Sequence, residues 1–389
     1  MDDEGCCRLV DAGASLPVLL SPGTENELHR CFVAGRLTGV FAPYRLEDLV
    51  VLSKSHRAPS PEERSVRMRL PILARRAEIV GVVRDFFRGR GFLEAETPAR
   101  VVCPGMEVHL VPFPAGRDRW LATSPELALK RLVAAGAEKV FEVARAFRDD
   151  ERSPWHLSEF TLLEWYRAYA EVDALVEDVH ALLLQTARAA RSGESALRLG
   201  ECDLSKPPER LTVRDAFVRY AEIDLAAVRE RHLLADALTS LGIPYDADDE
   251  WDDLFHRLFI DRVEEHLGRS SITILEEYPA SQAALARIRH DEKWPVALRF
   301  EVYVAGVELA NAFDELCDEQ EQRRRFERDR AERMARGGPE ISLDEAFLDA
   351  LCGGLPPCVG IALGLDRLIA LLLDLPGGAR DTVPFPDLV

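Results

Sequence analysis

The stretch Phe300 to Ala310, FEVYVAGVELA, constrains the fold most, because Ala305-Gly306 as a two-residue turn would make the residues on either side an antiparallel strand pair. With those two residues as the turn, Val304 pairs with Val307 and Tyr303 with Glu308. Glu301 then lies on the same face as Glu308, diagonally across the ladder and about 7–8 Å away. Two carboxylates facing one way repel unless a cation lies between them. Magnesium carrying a nucleotide triphosphate meets that need, since it takes a few carboxylate oxygens together with phosphates. A solvent-facing acidic stripe has the same pattern.

A second alternating run, Phe160 to Tyr166 (FTLLEWY), puts Phe160, Leu162, Glu164 and Tyr166 on one face. A flat aromatic, a carboxylate and a phenol in line suit a ligand with a π-face and an ammonium group; a structural strand is the other reading. The strand before it, Val140 to Arg148, ends in a guanidinium able to fork onto phosphate oxygens. Gly364 stands where the strand Val359–Leu363 turns into the helix Leu365–Leu373, which carries Arg367. A glycine there permits close backbone approach to a ligand, and the helix N-terminus favours anions, although a helix-packing glycine reads the same way.

Around these segments the pattern is α+β. Residues 1–65 read as a small β-rich appendage, with strand-like runs at Val33–Val40 and Asp48–Ser53 and a linker at Ser55–Glu63. Residues 66–389 read as one domain: a helix over Ala77–Arg88, a strand over Phe92–Thr97, strands at Lys139–Arg148 and Glu159–Tyr166, a helical insertion at about 172–268, and a hairpin over Arg299–Phe313.

The net charge, 49 basic against 68 acidic residues or −19, argues against a protein that grips many phosphates of a nucleic acid. In the Arg-rich stretch Gln322–Arg336, acids interleave with the arginines at helical spacing, as on a solvated, ion-paired helix. None of the eight cysteines forms a C-x-x-C pair, so reduced structural thiols are expected rather than zinc or disulfides. No apolar run has transmembrane length, and the acidic start Met1-Asp2-Asp3-Glu4 is unlike a signal peptide, so a cytoplasmic location without membrane attachment is expected.

In chain order, GFLEAETP (Gly91 to Pro98), FRDDERSPWHLSEFTLLEWYR (Phe147 to Arg167) and GIALGLDRL (Gly360 to Leu368) resemble motifs 1, 2 and 3 of the class II aminoacyl-tRNA synthetases. TSPELALKRL (Thr123 to Leu132), PASQAALA (Pro279 to Ala286) and FEVYVAGVELANAFDEL (Phe300 to Leu316) extend the likeness to the lysine branch, from about Arg69 to about Leu373. Within that branch the chain looks like the ligases that lack the anticodon-binding domain and modify elongation factor P.

The resemblance implies an antiparallel catalytic sheet flanked by helices, ATP and Mg²⁺ as cofactors, and a lysine or β-lysine substrate. It also implies elongation factor P as acceptor and a homodimer built on motif 1. Arg148 would hold the α-phosphate, Phe160 would stack on adenine, and Arg367 would cover its other face and reach the γ-phosphate. Asp149, Asp150, Leu309 and Gly364 would complete the nucleotide site, and Glu301 and Glu308 would bind Mg²⁺. Ser124, Pro125, Glu126, Glu164, Tyr166, Asn311, Glu315 and Ala362 would line the amino-acid pocket. Strict alternation puts Asn311 and Glu315 opposite Glu308, so a shared site requires a bend or bulge near Ala312.

Some positions depart from the family pattern: Asp150 for Glu, Leu157 for Asn, and Ala312 for Gly. Ala362 stands where lysyl-tRNA synthetases carry Gly and the ligase branch carries Ala. The expected chemistry is attack of a substrate carboxylate on the α-phosphate, then transfer of the acyl group to an amine. Charging of tRNA is the first alternative, opposed by the charge and by the missing anticodon domain. A non-catalytic binding module is the second, opposed by the presence of Arg148, Arg367, Glu301 and Glu308.

Overall fold

Four strands come first: β1 (Cys6–Asp11), β2 (Ala14–Leu19), β3 (Cys31–Thr38) and β4 (Tyr44–Lys54), forming one sheet in the order β1-β2-β4-β3. The computed structural model describes residues 6–11, 14–19, 31–38, 44–54, 61–149, 153–191, 193, 197–290 and 294–386, with side chains from 64 onward. The chain divides into two compact units, Met1–Ala77 with Asp381–Leu388, and Glu78–Arg380. Helix α1 (Pro61–Gly89) begins earlier than the periodicity indicated, at a proline, whose fixed φ and missing N–H suit a first helical turn. The end of the expected linker is therefore helical.

The larger unit continues with β5 (Leu93–Glu94), the short pair β6 (Arg100–Val101) and β7 (Trp120–Leu121), then helix α2 (Glu126–Ala134). Strands β8 (Lys139–Phe147) and β9 (Glu159–Ala168) lead into α3 (Val172–Ala190). The small pair β10 (Arg198–Leu199) and β11 (Cys202–Asp203) precedes β12 (Glu209–Thr212) and helices α4 (Val213–Ala221), α5 (Arg231–Leu241) and α6 (Trp251–Arg262). Strands β13 (Thr273–Pro279), β14 (Ile288–Arg289), β15 (Val296–Val304) and β16 (Val307–Asp314) follow. Helices α7 (Glu319–Ala335) and α8 (Glu345–Gly354), strand β17 (Cys358–Gly364) and helix α9 (Leu365–Leu372) close the unit.

Nine of these strands make one sheet in the order β12-β13-β15-β16-β17-β9-β8-β5, with β14 beside β15. All pairings are antiparallel except β12/β13 and β5/β8. The strand expected over Phe92–Thr97 shortens to two paired residues, because Thr97 donates its N–H to the Glu142 side chain at 2.9 Å instead of to a strand.

Alternation sends each central strand's apolar half to one side. Leu163 and Trp165 of β9, Val359, Ile361 and Leu363 of β17, and Phe300 and Val302 of β15 pack with Phe86 and Phe87 of α1 and Leu182 and Leu183 of α3. Phe87 stacks on Phe141 at 4.7 Å, and burial of each such side chain stabilises by about 1.5–3 kcal/mol. On the opposite face, α4 to α6 cover the β13–β15 end and α2, α7 and α8 cover the β8 end, leaving β16, β17 and β9 as the floor of a cleft between two smaller cores.

The Arg-rich stretch is α7 with its C-cap Arg336, and Arg323, Arg324, Arg325 and Arg336 pair with acids three or four residues away as the spacing indicated, while Arg328 pairs with its neighbour Asp329. The solvated-face reading fails at Arg325 and Arg333, which are buried and donate to backbone carbonyls of other segments. Among the described residues no helix is long and apolar enough to cross a membrane.

Candidate active site

The cleft holds about 490 Å³, within the usual range of small-molecule sites. Its floor is the polar parity of the same strands: Phe160, Leu162, Glu164 and Tyr166 of β9, Gly360, Ala362 and Gly364 of β17, and Asn311 and Phe313 of β16. The register sets Ala362 opposite both Glu164 and Asn311.

Ala305 and Gly306 make the two-residue turn with Val304 opposite Val307 and Tyr303 opposite Glu308, both at positive φ (54° and 80°) as a type I′ turn requires. The bulge needed to bring Asn311 to the face of Glu308 is not near Ala312. It falls between Glu308 and Ala310, so that Leu309 and Ala310 are both buried in the core while Glu308 and Asn311 face the cleft. The core takes two consecutive apolar residues, and that shifts the parity. Glu315, four residues beyond Asn311, then needs no second bend.

One end of the cleft carries the guanidinium and aromatic groups. Arg148 lies 5.1 Å from the centroid of the Phe160 ring, a cation–π distance. Arg367 donates to the Glu308 carbonyl (2.7 Å), lies 3.4 Å from the Glu308 carboxylate, and meets His156 at 2.7 Å. A Cβ on Gly364 would come within 3.2 Å of the Arg367 side chain, so the glycine's service here is to let that side chain fold back over the helix start. Asp366 of the same turn accepts the backbone N–H of Thr161 at 2.7 Å and so ties β9 to α9.

The other end is acidic. Glu164 accepts from Ser124 Oγ at 2.6 Å, and burial first, with Glu126 beside it, pushes its carboxyl up to about 8. Lys130 is buried between Glu126 and Glu315, each at 2.5 Å. Burial pulls its ammonium down, but the two carboxylates more than offset that and hold it protonated. Burial likewise pushes Glu315 upward, while the Lys130 ammonium against it pulls the other way and keeps it the partner carboxylate. Gly360 makes this packing feasible, since a Cβ there would lie 2.1 Å from the Tyr166 ring and 2.5 Å from Glu315.

Of the residues singled out in the sequence, Ser124, Glu126, Arg148, Phe160, Glu164, Tyr166, Glu308, Leu309, Asn311, Ala362, Gly364 and Arg367 line this one cleft. Pro125 instead caps α2, Asp149 pairs by its N–H with the Val111 carbonyl, and Glu315 stands behind the wall with Lys130. Asp150 lies outside the described residues. Leu157, at a position where the family carries a polar residue, is buried on the cleft wall.

Glu301 is also behind the wall. It accepts hydrogen bonds from the Tyr278 and Tyr303 hydroxyls (2.5 and 2.7 Å) and pairs with Arg299. Three of its roughly four lone-pair positions are thus used. The half-exposed carboxylate of Glu308 faces the cleft and is close enough to push Glu301 upward, after burial as the main cause. Among the described residues no group of three or more His, Cys, Asp or Glu side chains forms a metal site. This donor set fits a divalent cation that arrives on phosphate oxygens and takes only one or two protein carboxylates.

Sequence reasoning missed Lys130, Glu107, His156, His256 and Arg299, which line or support the cleft. Only Lys130 carried a signal, its i,i+4 spacing from Glu126 on a helix, and that pattern is ordinarily a surface ion pair.

Comparison with known proteins agrees with this geometry. The family "tRNA synthetases class II (D, K and N)" matches residues 64–389. Proteins named elongation factor P--(R)-beta-lysine ligase from Salmonella typhi, Salmonella paratyphi B and Salmonella schwarzengrund are each 41% identical over 314 residues. The alignments cover 78% of this chain and 91% of each relative. With its three motifs on one largely antiparallel sheet, to which motif 1 adds the parallel edge strand β5, the chain belongs to the class II tRNA synthetase family of the D, K and N type.

Proposed function

We propose that this class II ligase activates a lysine-like diamino acid, (R)-β-lysine as in the names of its relatives, and passes it to a lysine side chain of elongation factor P. The observation that carries this reading is one cleft with an aromatic–guanidinium end and a buried carboxylate end. The first suits a nucleotide triphosphate, the second a substrate with two ammonium groups.

Phe160 stacks on the adenine, and Arg148 and Arg367 offset charge on the transferring and leaving phosphates. When bound, Mg²⁺ supplies further charge neutralisation on the phosphates, with Glu308 as its cleft-facing carboxylate and Glu301 behind. Glu126, Glu164 and Asn311 orient the amino acid so that a carboxylate oxygen attacks the α-phosphorus in line. The bond from that phosphorus to the bridging oxygen breaks, and pyrophosphate leaves. An acceptor amine then attacks the acyl carbon, AMP departs, and the amine loses a proton as the amide forms.

The net charge of −19 favours a protein acceptor over tRNA. A homodimer assembled through the motif 1 segment, Gly91–Pro98, is part of the same reading; a monomer in light scattering at micromolar concentration contradicts it. The acceptor is tested by offering enzyme, ATP and labelled (R)-β-lysine to elongation factor P and to tRNA in parallel. Label in an amide on elongation factor P is expected, and label on tRNA alone overturns the assignment.

A further inference from the structure

Glu107 has no role in the chemistry described so far, yet the loop between β6 and β7 is built around it. Thr123 Oγ donates to the Pro104 carbonyl at 2.6 Å. Arg333, buried in α7, donates to the carbonyls of Leu110 (2.8 Å) and Glu107, bolting the loop from behind. Gly105 stands at φ 148° where a Cβ would lie 2.5 Å from Glu107 Oε2 and 2.9 Å from Thr123 Oγ. Glu107 lines the cleft, and its Oε2 is shut off from solvent with no hydrogen-bond partner among the described residues. Asn311 Oδ1 is a second buried acceptor on the same cleft without one. Buried acceptors left this way are costly unless a ligand supplies donors.

The charges around it show which ligand. Lys130 belongs to Glu126 and Glu315. Arg148 acts on both Glu107 and Glu164, Arg333 acts on Glu107 from behind, and Glu126 adds a like charge beside each. Once Arg148 engages a phosphate, Glu107 and Glu164 lose that cation, and a diamino acid brings two ammonium groups in its place.

Building on the activation proposed above, we infer that Glu107 is a specificity-determining residue of the amino-acid pocket, receiving one of the two ammonium groups of the substrate. The Arg333 anchor and the glycine at position 105 hold its carboxylate in place for that contact.

The test compares wild type with Glu107→Gln, which keeps shape and removes charge, and Glu107→Asp, which keeps charge. Pyrophosphate exchange is measured with (R)-β-lysine and with its two mono-amino analogues, 3-aminohexanoate and 6-aminohexanoate. Binding of (R)-β-lysine to the ATP-free protein is measured by calorimetry. For Glu107→Gln, the KM for (R)-β-lysine and its calorimetric Kd should both rise about 10–100-fold, as expected for loss of a charged hydrogen bond. The KM for ATP should stay at the wild-type value, kcat should change less than about threefold, and preference over one mono-amino analogue should collapse. Glu107→Asp should recover part of the affinity. Unchanged affinity and discrimination in Glu107→Gln, or equal losses in ATP and amino-acid parameters, overturn the assignment. If wild type itself shows no exchange with any diamino acid, the activation reading fails first and this inference falls with it.

Discussion

The ammonium of Lys130 sits 2.5 Å from a carboxylate oxygen of Glu315, with both side chains shut off from solvent. A second carboxylate, Glu126, lies at the same distance on its other side. The protein thus supplies one internal cation to an acidic cluster and leaves the remaining negative charge facing the cleft.

Removing that cation strands two buried carboxylates. Lys130→Met should lower unfolding free energy by about 3–5 kcal/mol. Urea denaturation should show this as a lower midpoint with an unchanged slope. Adding Glu315→Gln to Lys130→Met should recover a substantial part of the loss, because one stranded charge is gone. Additive losses in the double variant contradict the pairing.

Glu164 makes stability depend on pH. Its folded carboxyl titrates at about 8, against an ordinary value of 4.5. Between those values the folded chain binds the extra proton, so this group's stabilising contribution is full below about 4.5 and is lost as pH rises towards 8. Glu164→Gln keeps the acceptor for Ser124 and never ionises. Its melting temperature should therefore exceed that of wild type by roughly 2 °C or more at pH 8.5, with little difference at pH 5. Amino-acid-dependent exchange should be lost in the same variant. A melting temperature below wild type at pH 8.5 refutes the account of this carboxyl.

Gly360 is required by sterics and not by backbone conformation. A methyl there would overlap the Tyr166 ring and crowd Glu315. Gly360→Ala should raise the KM for the amino acid by about tenfold or more and cost about 1–3 kcal/mol of stability. Gly353→Ala, on a helix with open space at that position, serves as the control and should do neither.

Arg367 and its partner Glu308 belong to the nucleotide end. Arg367→Ala should reduce the exchange rate about 10²–10³-fold while calorimetric affinity for the free amino acid stays near the wild-type value. Equal loss of amino-acid binding contradicts the division of the cleft.

The sheet was legible where the information is local. Ala305-Gly306 as a two-residue turn set the register of the late hairpin, and the apolar parity of β9 and β17 set which face is core. The bulge at Leu309 was not legible, because it exists to bury two consecutive apolar residues in a core assembled from distant helices. Nor was the enclosure of Glu301. Tyr278 reaches it from another strand, next to an irregularity where Glu277 takes a positive φ of 62°. Arg333 looked like one more charge on a solvated helix, since burial of a single arginine among exposed ones depends on the β6–β7 loop that it anchors. Lys130 shows the same limit: spacing reveals the pair, but only tertiary packing makes it internal.

The measurement that bears most directly on the central claim is magnesium-dependent exchange of labelled pyrophosphate into ATP across a set of amino acids. The account predicts exchange with (R)-β-lysine, weaker exchange with lysine, and none with leucine or glutamate. Exchange that ignores the second amine, or none with any diamino acid at saturating ATP, contradicts it.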